Sequence, residues 1–333
     1  MTKIGGENYI NHSYKLGSFQ NETYYSSGQS ALIVILRTLL SENYSKIYIP
    51  NFICDSVINV CKSLKFNIIN YEIDDKSFEP VWNNIDLEEN TIFYLVSYYG
   101  FVETNSSVLK LKSKYHNIIT ISDRVQDYYN INKSLADFSF NSFRKFLPIP
   151  EGSIIVNRTN LSLLEPEKNN SWSRLKYLAA IMKLLKFNDK IYLRIFNKAE
   201  YKLLNTLEPM YMSRLGVNYF NLFHHYKIKL KREENYKFVY DYGKSLGIDF
   251  VFKYEAGLTP IAIPVKVNSS KKLKKNLFEK KCYLNSYWPS NINKSKFSQY
   301  IYNHSINIII NHTVNLDKIK RQIMLISKFN QIE

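Results

Sequence analysis

The chain has 333 residues, 45% of them apolar and 22% charged, with a formal net charge of +16. That apolar share, with 15% aromatics, excludes a disordered chain, and three cysteines exclude a disulfide scaffold or a four-thiolate zinc site. No apolar run reaches the roughly 18 residues that span a bilayer; the longest is Thr91–Val102.

In chain order, Met1–Tyr14 is polar and lacks an apolar signal core, which predicts a cytoplasmic protein. Ala31–Leu40 is apolar nearly all round and reads as a buried helix opened by Ser27-Gly28-Gln29-Ser30. Lys46–Ile49 reads as a strand ending at Pro50, Val57–Leu64 as a helix, Asn67–Ile73 as a strand, and Thr91–Val96 as a fully apolar strand. Val108–Tyr115 has helical period, and Asn117–Ser122, Asp137–Phe140 and Ser153–Val156 are further strands. Strands alternating with helices at this spacing predict an α/β three-layer sandwich around a mainly parallel sheet.

Past Asn157 the pattern changes. Trp172–Leu204 is a long basic amphipathic stretch broken near Asn188-Asp189, and Tyr219–Leu246 reads as a second long helix. Short strands follow Gly247, with Thr259–Val267 the clearest, then helices at Lys271–Lys280 and Leu316–Phe329. These elements predict a large α/β domain over 1–215, with a helical segment at about 163–210, and a smaller α+β domain over 216–333.

Phosphate-loop, dinucleotide-fold and zinc motifs are absent, and the six histidines are scattered, so no metal site is expected. A pI near 9.4 suits a polyanion-binding surface. It also follows from a bias toward Lys, Ile, Tyr and Asn, of which there are 36. Glycine is the scarcer signal: ten in 333 residues, where usage averages about 7%.

Three features fall in order. Gly28-Gln29-Ser30 opens a buried helix, a geometry that binds phosphate. Asp123 ends the strand Asn117–Ser122, at the carboxyl edge where parallel sheets hold ligands. Lys145, in the loop Ser142-Phe143-Arg144-Lys145, could form a Schiff base, while Asp123 could pair with a protonated ring nitrogen. Phosphate, ring nitrogen and aldehyde are the three handles of pyridoxal phosphate.

On these residues the chain resembles the DegT/DnrJ/EryC1/StrS sugar aminotransferase family, of pyridoxal-phosphate fold type I. The matching segments are Ser27-Gly28-Gln29-Ser30-Ala31-Leu32, Pro50-Asn51-Phe52, Tyr99-Gly100, Asp123-Arg124-Val125-Gln126 and Ser142 through Gly152. Gly216-Val217-Asn218-Tyr219 and Tyr287-Trp288-Pro289 match more loosely. The resemblance implies that Lys145 holds pyridoxal 5'-phosphate as a Schiff base, Asp123 pairs with its ring nitrogen and Gln126 bonds near its phenolic oxygen. It implies that Gly28, Gln29, Ser30 and Ser142 bind the phosphate, and that Asn218 reaches the phosphate of a neighbouring subunit in a homodimer.

Two positions depart from the family's pattern. Cys54 stands where an aromatic residue usually stacks on the ring, so Phe52 either supplies the stacking or belongs to the core. Arg124 reads as a substrate contact or a surface salt bridge. The implied reaction moves an amino group from glutamate to a nucleotide-linked keto-sugar, for surface polysaccharide or glycoconjugate synthesis. The alternative is a basic protein peripheral to membrane or nucleic acid, built on the same fold without transaminase activity and using the Arg174–Lys202 helices.

Overall fold

A computed structural model describes residues 23–166, 171–288 and 295–331. The polar Met1–Tyr14 stretch and Pro289 lie outside the described residues.

Continuous apolar runs make strands that are buried on both faces, and these build the central sheet. Its elements in chain order are β1 (Tyr24–Tyr25), α1 (Gly28–Ser41), β2 (Lys46–Pro50), α2 (Asp55–Ser63), β3 (Asn67–Tyr71), β4 (Thr91–Val96), α3 (Asn105–Lys114), β5 (Ile118–Asp123), β6 (Phe138–Phe140) and β7 (Ser153–Asn157). The strands lie in the order β1-β7-β6-β5-β4-β2-β3. Strands β2 to β6 are parallel, and β7 is antiparallel to both of its neighbours. Six strands therefore run one way and β7 alone runs back, which is the mainly parallel sheet the sequence predicts.

Register decides where the site can form. Val96 of β4 lies opposite Asp123 of β5, and Asp123 opposite Phe140 of β6, so three carboxyl ends finish level. Helix α1 is capped by Ser27, whose hydroxyl accepts from the Ser30 N–H at 3.1 Å, and it is buried on nearly every side.

The remainder is mostly helical: α4 (Ser171–Leu184), α5 (Asp189–Leu204), α6 (Arg214–Phe220), α7 (His225–Ser245), α8 (Ser270–Glu279), α9 (Lys296–His304) and α10 (Leu316–Asn330). Strands β8 (Ile263–Lys266) and β9 (Ser305–Ile308) pair antiparallel in a second sheet. A separate apolar core gathers around them, with Val239, Ile263, Leu273, Ile306 and Ile323 fully buried.

Several elements differ from the sequence reading. The long helix expected over Tyr219–Leu246 is two, because Asn221–Phe223 turn back on Val217–Phe220 before α7 starts. The strand expected over Thr259–Val267 shortens to β8, its first half tied instead to the turn after β4 by Ile261 N–H to the Tyr99 carbonyl at 3.0 Å. Helix α9 and strand β9 abut at His304–Ser305 with no turn residue between them, and the sequence reading has neither.

Candidate active site

Beyond the level strand ends lies a cavity of about 190 Å³. Val96, Asp123 and Phe140 form its floor, Ser27, Gly28 and Gln29 bring the start of α1, and Ser142 and Lys145 enter from the β6–β7 loop. Residues from four places in the sequence thus converge, and Gly28, Gln29, Asp123, Gln126, Ser142 and Lys145 all line one space.

Glycine suits position 28 because the space beside it is tight. A Cβ there would sit 3.0 Å from the Asn141 carbonyl and 3.3 Å from Val125 Cγ2, so the backbone of the first helical turn comes right up to the cavity wall. The positive end of the α1 dipole faces the same space, which favours an anion there.

Asp123 is held on both oxygens. Oδ2 accepts from the Tyr94 hydroxyl at 2.7 Å and Oδ1 from the Val125 N–H at 2.9 Å. Burial pushes its carboxyl up to about 6, although both hydrogen bonds pull the other way. Such a carboxylate gains from a cationic partner in the cavity. The donor set suits pyridoxal phosphate: a helix N-terminus for phosphate, a buried carboxylate for a ring nitrogen and a primary amine for an aldehyde.

The other expected residues are placed less uniformly. Gln126 lines the cavity, but its Oε1 accepts from the Tyr99 N–H at 2.6 Å, tying the segment after β5 to the turn after β4. Close by, Gly100 has φ +84 and would bring a Cβ within 2.7 Å of the Gln126 carbonyl. Gln29 lines the cavity while its Nε2 donates to the Leu203 and Thr206 carbonyls, both at 3.2 Å. The Ser30 hydroxyl is turned to Ser26 at 2.7 Å, and Ser27 rather than Ser30 reaches the cavity. Asn218 is exposed on α6 and lies outside the lining.

Phe52 belongs to the core. It is buried among Phe78, Tyr98, Phe297 and Trp288, and Trp288, with its centroid 5.0 Å away, is the ring of that group that lines the cavity. Cys54 is in the lining, as are Tyr287 and Trp288. Arg124 is neither a substrate contact nor a surface salt bridge. It is fully buried, and its guanidinium donates to Asp127 and to Glu103, each at 2.5 Å.

The sequence reading missed the roles of Tyr94, Arg144 and Glu151. Arg144 pairs with Glu200 of α5 at 2.8 Å, and Lys176 of α4 pairs with the same carboxylate. Burial alone would raise Glu200, but the Arg144 and Lys176 cations hold it down to about 2. This triple clamps the loop carrying Lys145 against α5. Glu151, which is buried, accepts from the Ser213 N–H at 3.1 Å and from the Ser213 hydroxyl, anchoring the start of α6.

A second, larger space of about 420 Å³ shares Arg144, Lys145, Ile261 and Tyr287 with the first, and adds Asn285 and Asn311. Lys145 stands on the boundary of the two compartments.

No family model matches the chain, and no curated protein matches it in sequence. Solved structures do match along its length. Helicobacter pylori PseC, an aminotransferase involved in the biosynthesis of pseudoaminic acid, superposes with a TM-score of 0.69 at 13% identity over 100% of both chains. A Streptococcus pneumoniae protein in its PLP form gives 0.67 at 12% identity over 99% of each chain. A DegT DnrJ EryC1 StrS aminotransferase from Brucella abortus gives 0.62 at 11% identity over 92% of this chain and 85% of that one. The fold of this chain is the fold type I architecture of the pyridoxal-phosphate sugar aminotransferases.

Proposed function

We propose that the chain is a pyridoxal-phosphate-dependent aminotransferase that moves an amino group from glutamate to a nucleotide-linked keto-sugar, for surface polysaccharide or glycoconjugate synthesis. The observation that carries this reading is the meeting of Lys145, Asp123 and the Gly28 end of α1 on one cavity. The structural neighbours, among them a PLP form and an aminotransferase involved in pseudoaminic acid biosynthesis, agree with it.

When bound, the cofactor supplies an electron sink that stabilises a carbanion at the substrate's α-carbon. The protein does the rest. Asp123 keeps the ring nitrogen protonated, and Tyr94 and Val125 fix the direction of its carboxylate. The helix N-terminus at Gly28, with Ser27 and Ser142, seats the phosphate. The Lys145 amine would take the proton from the substrate's α-carbon and deliver it to the cofactor's aldehyde-derived carbon, two bonds away across the nitrogen, so a single base would serve both transfers. Phe140, Tyr287 and Trp288 limit water at the reacting carbon, and the outer compartment receives the sugar.

Two copies complete the arrangement, with the exposed Asn218 reaching the neighbour's phosphate. A second apolar core, from Tyr236 to Ile326, supports a smaller C-terminal domain within 216–333, while the first core also takes in Phe220, Phe223 and Ile228. Absorption spectroscopy tests the reading. The purified chain takes up pyridoxal phosphate with a band near the visible edge, and Lys145→Ala lacks that band. A wild-type protein that stays colourless with added cofactor overturns the proposal, and glutamate-dependent amination across a panel of nucleotide keto-sugars identifies the substrate.

Trp288 supplies the ring face that Cys54 leaves open. Trp288→Ala weakens cofactor binding about tenfold, and adding Cys54→Phe to it restores most of the loss. Equilibrium dialysis of the cofactor reads both effects. An unchanged affinity in Trp288→Ala rejects this role.

A further inference from the structure

Helices α4 and α5 pack on each other as a hairpin with a buried base and a tip that carries exposed apolar side chains. At the base Trp172, Tyr177, Ala199 and Leu203 are buried, and Glu200 holds Lys176 and Arg144. Toward the tip the apolar side chains turn outward. Seven large exposed ones fall within the 16 residues 178–193, among them Leu184 at 47%, Leu185 at 63%, Phe187 at 51% and Ile191 at 50% exposure.

This exposure is built in. The Phe187 N–H donates to the Met182 carbonyl at 2.9 Å and the Lys186 N–H to the Lys183 carbonyl at 3.1 Å, with Lys186 at φ 57. That is the paired-bond C-terminal cap of a helix, with lysine in the left-handed position glycine usually takes. Asn188 then caps α5 by accepting from the Lys190 N–H at 2.9 Å. The turn's backbone is satisfied, so Leu185 and Phe187 are presented by an ordered wedge.

Basic residues surround them. Residues 171–204 hold eight Lys or Arg against two acidic residues, and Lys186, Lys190 and Arg194 are exposed beside the apolar tip. Lysine is depleted from the cores of protein–protein interfaces, whereas surface-lying membrane elements ring their apolar side chains with Lys and Arg. A second copy of so basic a chain is also the poorer electrostatic match.

We infer that the tip of the α4–α5 hairpin docks on an anionic lipid surface, with Leu185 and Phe187 entering the headgroup layer and Lys186, Lys190 and Arg194 against the lipid phosphates. Helix α5 carries the two functions at opposite ends. Its last turn gives Leu203 and Leu204 to the cavity, and its 16 residues place the tip about 24 Å away along its axis. Docking there leaves the cavity clear.

Vesicle co-sedimentation of the full chain tests this without reference to catalysis. The wild type pellets with vesicles of equal parts phosphatidylglycerol and phosphatidylcholine at low salt, is released by high salt, and ignores phosphatidylcholine alone. Leu185→Asp/Phe187→Asp abolishes pelleting, and Lys186→Glu/Lys190→Glu weakens it at least about tenfold, with thermal midpoints unchanged because these side chains are exposed. Failure of the wild type to pellet overturns the inference. So does an apolar-tip variant that pellets as well as the wild type. Sedimentation of the same variants in solution gives the remaining outcome: a dimer that Leu185→Asp/Phe187→Asp splits, without any vesicle binding to lose, makes the tip a contact between copies and rejects lipid docking.

Discussion

Asp123→Asn makes the cofactor-free protein more stable at pH 8 by about 3 kcal/mol while lowering amination at least about a hundredfold. Burial raises the Asp123 carboxyl from 3.8 to about 6 in the folded chain. Above pH 6 the folded state therefore carries an ionised group that the unfolded state ionises more easily, and stability falls as pH rises from 4 through 6. The substituted amide keeps the geometry. Its oxygen can still accept from the Val125 N–H, and its nitrogen can donate to the Tyr94 hydroxyl, which rotates to accept. The gain is present above pH 6 and vanishes below about pH 4, where both states of the wild type are protonated. A neutral amide cannot hold a pyridine nitrogen protonated, so the electron sink weakens at the same time. Urea unfolding at pH 4 and pH 8 reads the first effect and steady-state amination the second. A destabilised Asp123→Asn at pH 8 would show the carboxylate to be a structural group rather than one held at a cost for chemistry.

What the sequence shows of this site follows from what is local. Gly28, Asp123 and Lys145 each sit at a boundary that composition marks: a helix start, a strand end and a short loop after a strand. Tyr94 carries no such mark. It lies inside a wholly apolar strand and becomes the partner of Asp123 because β4 and β5 pair with Val96 opposite Asp123. The exchange of Phe52 for Trp288 is a contact between residues more than two hundred positions apart, and only the docking of the C-terminal segment on the sheet brings it about. Strand β9 is hard to read because it is four residues long and follows α9 with no turn residue to mark its start.

Arg124 shows the same limit with a measurable consequence. Arg124→Met destabilises the protein by about 3–5 kcal/mol, because it leaves the Asp127 carboxylate buried without its cation. Asp127 is already pushed up to about 6 by burial, against the pull of Arg124, so removing the guanidinium moves it higher still. The unfolded state then loses its proton first over a wider range, and the deficit grows as pH rises from 5 to 8. Arg124→Met/Asp127→Asn recovers most of the loss, since the amide oxygen that replaces the Asp127 Oδ1 can keep the 2.7 Å bond from Asn130 with no charge to bury. Glu103, at 54% side-chain exposure, is screened by solvent, and Glu103→Gln changes stability by less than about 1 kcal/mol. Urea unfolding of the four proteins at both pH values separates the pairs. A double variant as unstable as Arg124→Met would place the cost in lost packing of the arginine stem. The asymmetry between the two carboxylates follows from depth alone, and it explains why a basic residue in the Asp-x-x-Gln segment serves the frame behind the cavity while Lys145, about twenty residues on, serves the cavity itself.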